Sequence, residues 1–422
     1  MSDFYSKHMI EALRSGVPSR EVGACFTEAR PAMMRRISDR LEAVRESGRS
    51  DGMIFTGRYG EGKTHLLNTF FSMATTSGMV VSLVPLGKET PLDKPWLLYQ
   101  KIMASTFLPG AKQPGFSTLL ENMTKNDALS GELLAYTARE LETDKLYFLL
   151  KAYLNTQDEE ERFTFLSDFE GDFAGNALIK KSYRRLLGTP AKFRENFSKT
   201  RHYMDYFHFM SHLFRQKKYA GWLILFDEAE LLGRLPKKAR MKCYREMQRF
   251  LNPGPRMEGV FSLFAMSSSY AEDVIDTKHE FDNVEETFSE DQKSKEDALA
   301  SLNAVLKAPE LAPLTREEIS GILLRIQEFH GKAYDWTPQI SADTLYRTSE
   351  AGGYLLRTKI RAAIELLDQL YQYGEAGGIR ITELGKESFE EDAVPELEGL
   401  DELENKRQPR EARLSQITEQ HP

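Results

Sequence analysis

Cysteine is scarce in this chain, since only Cys25 and Cys243 occur among its 422 residues. Two cysteines exclude a disulfide scaffold and any metal site with four cysteine ligands, and they fit a reducing compartment. No apolar run approaches the roughly 18–20 residues that a membrane-spanning helix needs. The N-terminus lacks the apolar core of a signal peptide. We therefore expect a cytoplasmic protein that does not enter a membrane.

The charge is mildly acidic, with 56 Lys and Arg against 64 Asp and Glu and a formal net charge of −8. Two segments carry this acidity. Residues 387–404 hold nine acids and no Lys or Arg, and residues 280–297 hold eight acids and two Lys. The rest of the chain is net positive, so the acidity does not exclude a nucleic-acid partner. We expect both acidic segments to be mobile.

The order of apolar runs predicts an α/β core followed by helices. The strand candidates are rich in β-branched and aromatic residues and apolar on both faces, which is typical of a parallel sheet covered by helices. Residues 95–220 are interpreted as mainly helical, without a clear strand, and residues 270–302 as a helix plus a mobile loop. The strand candidates are residues 53–56, 79–84, 222–226, 260–266 and 302–306.

The most specific motif is the octapeptide GRYGEGKT at residues 57–64, which fits G-x-x-x-x-G-K-[ST]. Its glycines let successive backbone N–H groups converge on phosphate oxygens, and the following helix directs its positive end at the same anion. Lys63 is expected to reach the β- and γ-phosphates of ATP, and the Thr64 hydroxyl to ligate Mg²⁺. The alternative is a Gly-rich turn without function. The residues predicted to bind the nucleotide are Gly57, Arg58, Tyr59, Gly60, Glu61, Gly62, Lys63, Thr64 and His65.

A second motif is the pair of carboxylates that ends the apolar run at residues 223–226. In this Walker B pattern Asp227 is predicted to hold Mg²⁺ and Glu228 to polarise the attacking water. The alternative is a solvated strand end. The pair follows Lys63 by about 160 residues, and this long distance indicates an insertion within residues 95–220.

The order of these motifs resembles that of AAA+ ATPases. This resemblance implies two further candidate residues. Ser268, in the run of three serines after the fourth strand candidate, is predicted to orient the lytic water. The alternative is a turn capped by serines. In the last predicted helix, Arg357 is the first choice and Arg361 the second for an arginine that contacts the γ-phosphate. The alternative is an exposed pair on a surface helix.

AAA+ rings usually carry an arginine finger before the final strand, but residues 257–314 contain no Arg. A Lys of this segment would replace the arginine only weakly, because it lacks the planar guanidinium fork. Otherwise the activating residue comes from elsewhere, from a partner, or is absent. Residues 234–249, in contrast, hold seven cations and one acid, Glu246. The plainer interpretation is a solvated helix face. The alternative is a helix that meets DNA phosphates or an acidic partner.

Three segments resemble the ATP-binding proteins of bacterial anti-phage islands, the family typified by the smaller ATPase of BREX systems. They are EALRSGVPSR at residues 11–20, YGEGKT at residues 59–64 and YAGWLILFDEAE at residues 219–230. The resemblance covers about residues 8–375. It implies an AAA+-like ATPase that uses ATP and Mg²⁺ and acts as a motor, loader or switch for DNA or partner proteins in a defence complex.

The expected architecture is a three-layer P-loop NTPase core with a parallel sheet, a large helical insertion and a C-terminal all-helical lid. The expected partners are other proteins of a defence operon, with DNA and a second copy of the chain as further candidates. Two alternatives stay open: a nucleotide-gated scaffold with little turnover, and a DNA-binding regulator resembling transposition ATPases. The predicted units are an N-terminal helical segment (1–50), an ATPase core (51–310) with its insertion (about 95–220), a lid (311–385) and an acidic, disordered tail (386–422).

Overall fold

The computed structural model describes residues 3–15, 22–23, 29–350, 353 and 355–378. Cys25, the predicted tail at 386–422 and the second half of the 11–20 segment lie outside these ranges. Cys243 lies within them and is buried as a free thiol. Among the helices of the described ranges, none combines the length and the apolar character that crossing a bilayer requires.

Five strands and seventeen α-helices make up the described part of the chain, and short 3₁₀ or π segments extend some of the helices. The strands are β1 (Asp51–Gly57), β2 (Val80–Pro85), β3 (Thr106–Phe107), β4 (Trp222–Asp227) and β5 (Val260–Ser267). The helices are α1 (Phe4–Ser15), α2 (Pro31–Ser47), α3 (Lys63–Thr76), α4 (Pro95–Ala104), α5 (Thr118–Glu121), α6 (Ala128–Arg139), α7 (Lys145–Tyr153), α8 (Glu159–Ser167), α9 (Asn176–Leu187), α10 (Lys199–His202), α11 (Met204–Gln216), α12 (Lys237–Leu251), α13 (Glu280–Thr287), α14 (Gln292–Leu306), α15 (Arg316–Tyr334), α16 (Ala342–Ser349) and α17 (Leu356–Tyr373).

One sheet with the strand order β1-β5-β4-β2-β3 forms the middle layer, and every neighbouring pair is parallel except β2 and β3. Alternate residues of each strand face opposite sides. Phe55 therefore joins the hydrophobic core beneath α2 and α3, while Ile54 joins the core shared with the insertion and α12. Helices cover both faces, which explains why the strands are apolar throughout. The predicted three-layer α/β class is confirmed.

Two predictions about strands are wrong. Residues 302–306 end helix α14 instead of forming a final strand, because their apolar side chains pack at a helical period. The chain returns to the sheet only at Glu310, which forms a single parallel bridge to Thr56 beside β1. In the insertion, Thr106 and Phe107 form the short antiparallel strand β3, which the sequence pattern did not reveal.

The acidic segment 280–297 is ordered, so the prediction that it is mobile is wrong. Residues 270–302 form a π-helical turn, α13 and most of α14, and α14 packs along α12. The buried carboxylate of Glu280 pairs with Arg240 of α12 at 2.7 Å. Glu286 pairs with Lys237 at 2.6 Å. Two ion pairs therefore join the acidic segment to the basic helix.

The lid consists of α15, α16 and α17, and α1 completes its hydrophobic core. Thr315 and Glu318 bond reciprocally at the start of α15 and form a capping box. Arg14 of α1 holds Asp368 of α17 through two nitrogens, at 2.8–3.2 Å. Helix α2, in contrast, packs on the sheet. The N-terminal residues are therefore shared between the lid and the core.

Candidate nucleotide-binding site

The phosphate-binding motif lies where β1 ends and α3 begins, in the position that the sequence predicts. Gly60 and Gly62 have φ values of 77° and 90°, which a side chain would strain. Gly62 is the N-cap residue of α3 and Lys63 its first residue. The Lys63 ammonium donates to the carbonyl of Gly57 at 3.0 Å. The loop thus wraps around the amine at the positive end of a helix, an arrangement suited to a bound anion.

A buried carboxylate faces Lys63 from the 3₁₀ turn that follows β4. Oε1 of Glu230 lies 3.7 Å from the Lys63 Nζ, and both side chains are almost fully buried. The other oxygen of Glu230 accepts the backbone N–H of Ser267, at the end of β5, at 3.1 Å. Glu230 therefore connects the lysine of the loop to the strand that lies between β1 and β4.

Asp227 ends β4 and lies beside the first turn of α3. Its carboxylate accepts the Glu228 backbone N–H at 2.9 Å and a hydrogen bond from the Thr64 side chain. Burial raises the pKa of Asp227, and the Thr64 hydroxyl and the Lys63 charge oppose this rise. The two predicted magnesium ligands are thus in contact, and their oxygens are of the type that Mg²⁺ prefers.

No group of three or more His, Cys, Asp or Glu side chains in the described ranges is arranged to hold a metal ion on its own. Mg²⁺ usually binds one or two protein oxygens together with phosphate oxygens of the substrate. Thr64 and Asp227 fit that role.

Glu228 has a strained backbone. Its φ and ψ of 54° and 33° lie in the left-handed region, which costs a non-glycine residue about 1–3 kcal/mol. Glu228 is exposed and lines the cavity beside the loop. Strain of this kind is concentrated at functional sites.

A cavity of about 440 Å³ lies above these residues, between the sheet and the lid. Its polar floor comes from the loop and from the end of β4. Its apolar side comes from α1, α15 and α17, including Leu13, Ile322 and Ile360. The predicted site residues that line the cavity are Tyr59, Gly60, Gly62, Lys63, Thr64, His65, Asp227, Glu228 and Arg357.

Five other candidates do not line this cavity. Gly57 packs against Leu311, and the side chain of Glu61 accepts the backbone N–H of Arg58 at 3.0 Å, which stabilises the loop. Ser268 donates its backbone N–H to Gly57 at 3.2 Å, behind the loop. Arg361, the second choice in the lid helix, and Arg58 are also absent from the lining.

Arg30 lines the cavity and was not predicted from the sequence. Its guanidinium lies close to Gly62, since a Cβ built on that glycine would be 3.7 Å from Arg30 Nη1. Its backbone N–H donates to Glu318 of the lid at 2.8 Å, and its Nε donates to the carbonyl of Ala312 at 3.0 Å. Arg30 has a φ of 55°. A cation from the N-terminal segment therefore reaches the phosphate loop.

The lid contacts the loop directly. Leu355 lies so close to Gly60 that a Cβ on this glycine would be 3.0 Å from its side chain. Two residues later, Arg357 lines the cavity from the first turn of α17. A molecule bound at the loop would therefore contact both the core and the lid.

The parallel sheet, the glycine-rich loop around Lys63 and the Thr64–Asp227 contact define a P-loop nucleotide-binding protein. The chain belongs to the family of BREX system ATP-binding proteins BrxC/D, whose family model matches residues 2–126 and 149–381. It is therefore an ATP-binding component of a phage-defence system.

Among solved structures, the chain is similar to Cdc6p from Pyrobaculum aerophilum, with 11% identity and a TM-score of 0.37. The alignment covers 82% of this chain and 64% of that structure, so the chain spans less than two thirds of its length. No curated protein matches the sequence significantly.

Proposed function

We propose that this protein hydrolyses ATP with the help of Mg²⁺, and that nucleotide binding and hydrolysis move the lid against the core. The observation that carries the proposal is the meeting of Lys63, Asp227 and Glu228 in one cavity that the lid also lines. In the BREX system this movement would act on partner proteins or on DNA. ATP binding follows from the family, and hydrolysis is the step that we add.

Four polar residues of the cavity have a role in the chemistry of this proposal. Lys63 binds the β- and γ-phosphates, and the backbone N–H groups after Gly62 bind the same oxygens. Thr64 and Asp227 would hold Mg²⁺, which neutralises charge on the phosphates. The Glu228 carboxylate orients a water molecule for attack on the terminal phosphorus and accepts its proton.

The apolar side of the cavity suits the base of the nucleotide, because Leu13, Ile322 and Ile360 exclude water there. Leu13 of α1 and Ile322 are part of the hydrophobic core of the lid, and Ile360 packs against this core. Arg357 would contact the terminal phosphate from the same side, so that loss of this phosphate weakens the hold of the lid. The nucleotide state then controls the position of α15 to α17.

A nucleotide-gated scaffold with little turnover is the second candidate. The observation in its favour is that residues 257–314 contain no Arg. Within the described ranges, the arginines that line the cavity are Arg30 and Arg357 of this chain. The charge that would accelerate hydrolysis would then come from a partner or a second copy, and the free chain would mainly bind ATP.

Steady-state ATP hydrolysis by the purified protein with Mg²⁺ tests the proposal, both alone and with duplex DNA and the partner proteins of its operon. Lys63→Ala should abolish nucleotide binding. Glu228→Gln should bind ATP and retain it, with hydrolysis reduced about a hundredfold or more. The matched control is Glu272→Gln, an exposed carboxylate outside the cavity.

Equal hydrolysis by the wild type and Glu228→Gln would exclude Glu228 as the base. ATP binding without hydrolysis under every condition, together with a larger particle in ATP than without nucleotide, would favour the scaffold. An unchanged particle size would count against the scaffold. Binding that survives Lys63→Ala would contradict the assignment of the loop.

A further inference from the structure

A large local excess of positive charge lies in the helical insertion, at residues that do not line the cavity of the candidate nucleotide site. Residues 180–201 hold eight Lys and Arg and a single acid, Glu195. These residues form most of α9, the loop that follows it, and most of α10. We call them the insertion cationic face. The chain as a whole is acidic, so such a concentration of charge has to be explained separately.

Helix α9 directs its cations away from the protein. It buries Ile179 and Tyr183 toward the insertion core, and it packs on α7. Lys181, Arg184 and Arg185 are exposed. Their spacing of three and four residues places them on one face of the helix.

The loop after α9 is held against α7 and α9. The ring of Phe193 stacks on Phe148 with 5.1 Å between ring centres. The Lys180 ammonium lies 4.7 Å from the Phe193 ring centre and 3.0 Å from Oδ1 of Asn196. Arg194 pairs with Asp144 of the α6–α7 loop at 2.7 Å. Because these contacts fix the loop, its cations keep their position relative to the helix at little entropic cost on binding.

Several of the eight cations already have acidic partners. Arg185 pairs with Glu161, Arg194 with Asp144, and Arg201 with Glu195. Among the described residues, no carboxylate lies within ion-pairing distance of the four other exposed cations, which are Lys181, Arg184, Lys192 and Lys199. Four exposed charges without an acidic partner therefore lie on α9, on the loop after it and at the start of α10.

The basic helix α12 contrasts with this face. Arg240 is buried against Glu280, Lys237 pairs with Glu286, and Arg245 and Arg249 both pair with Glu246. Four of the seven cations at residues 234–249 are thus paired with carboxylates. Of the α12 cations, Lys238 and Lys242 stay exposed, whereas the insertion cationic face exposes the four cations named above.

We propose that the insertion cationic face binds the phosphate backbone of duplex DNA. The regularly spaced phosphates of a duplex complement Lys and Arg side chains that are spread over a helix and a loop. Such phosphate contacts do not depend on the base sequence. Four neutralised phosphates give a slope of about −3.6 when log K is plotted against log salt concentration. The proposed function leaves open whether the protein acts on DNA or on partner proteins, and this proposal specifies DNA. It rests on the proposed function only for the use that the protein makes of bound DNA.

Fluorescence anisotropy with a labelled duplex of random sequence tests this proposal, using the full chain without nucleotide. The double variant Lys181→Glu with Arg184→Glu should weaken binding about tenfold or more and reduce the salt slope. The control, Lys238→Glu with Lys242→Glu, reverses two exposed cations of α12 and should leave the affinity nearly unchanged. All four side chains are exposed, so both variants should melt like the wild type.

Wild-type affinity in the α9 variant would overturn the proposal, and so would a wild type that does not bind duplex DNA at low salt. Loss of binding only in the α12 variant would move the DNA site to that helix. Displacement of DNA by polyglutamate at equal charge concentration would show that the face takes an acidic protein instead. ATP hydrolysis without DNA should be unchanged in the α9 variant, so a failure of the proposed ATPase would be a separate result.

Discussion

Arg240 and Glu280 form a buried ion pair, with Nε of the arginine 2.7 Å from Oε1 of the glutamate. Arg240 also donates to the carbonyl of Leu235 at 2.7 Å. Burial raises the pKa of Glu280, and the charge of Arg240 opposes this rise. The pair joins the basic helix α12 to the acidic segment, two parts of the chain that appear unrelated in the sequence.

Replacing Arg240 by Ala should lower the free energy of unfolding by about 3–5 kcal/mol, because it leaves the Glu280 carboxylate buried without its partner. Urea unfolding measures the loss. Lys238→Ala, at an exposed position of the same helix, should change stability by no more than about 0.5 kcal/mol. A loss below about 1 kcal/mol in Arg240→Ala would show that the pair does not hold the acidic segment in place.

Replacing Glu228 by Gly should raise stability and abolish hydrolysis at the same time. Glycine accepts the left-handed backbone of this position, so the variant should gain about 1 kcal/mol. Glu228→Gln should lose hydrolysis without this gain, because it keeps the strain. Thermal melting and ATP hydrolysis of the two variants check the prediction. Equal melting temperatures would mean that the Glu228 backbone is not strained in solution.

Arg30 should contribute to ATP affinity through its guanidinium. Arg30→Gly and Arg30→Ala should each weaken ATP binding about tenfold, because both remove a cation from beside the phosphate loop. The Ala variant should also be less stable than the Gly variant by about 1 kcal/mol, because only glycine accepts a φ of 55° without strain. Isothermal titration and melting measure the two effects. Wild-type ATP affinity in both variants would place Arg30 outside the site.

Asp368 should stabilise the lid in a pH-dependent way. Burial raises its pKa, but hydrogen bonds from His330 and Arg14 outweigh this effect, and the pKa lies below its ordinary value of 3.8. The stabilisation is therefore complete above pH 3.8 and is lost as the pH falls through the lowered pKa.

Asp368→Asn should cost about 1–2 kcal/mol at neutral pH. The difference from the wild type should stay constant down to about pH 5 and narrow below the ordinary pKa of the carboxyl group. Urea unfolding across this range measures it. Asp343→Asn, which removes an exposed ion pair with Arg316 in the same lid, should cost less. A difference that grows at low pH would contradict the assignment.

The phosphate loop and the carboxylate pair could be predicted because each is a local signal. Gly62, Lys63 and Thr64 are consecutive, and Asp227 and Glu228 end an apolar run. The capping box of Thr315 could be predicted for the same reason. The proximity of Thr64 to Asp227 also follows from sequence, because parallel strands bring their carboxyl ends to one edge of the sheet.

The role of Arg30 could not be predicted, since no local pattern distinguishes it from other arginines. It lies 32 positions before Gly62 in the sequence, and only the packing of α2 and the lid bring the two together. Residues 302–306 show the reverse case. A short apolar run fits a strand as well as a buried helix, and here the contact of α14 with α12 selects the helix.

The sequence by itself identified the chemical groups of the candidate nucleotide site, because each group belongs to a local pattern. The glycines and the lysine form one continuous loop, and the two carboxylates end an apolar strand. The tertiary structure decided which charges remain available. Composition counts Arg240 and Lys181 alike, but the fold buries the first against Glu280 and leaves the second in water. The physical reason is that a charge acts through the groups that surround it in space, and chain folding alone sets those surroundings.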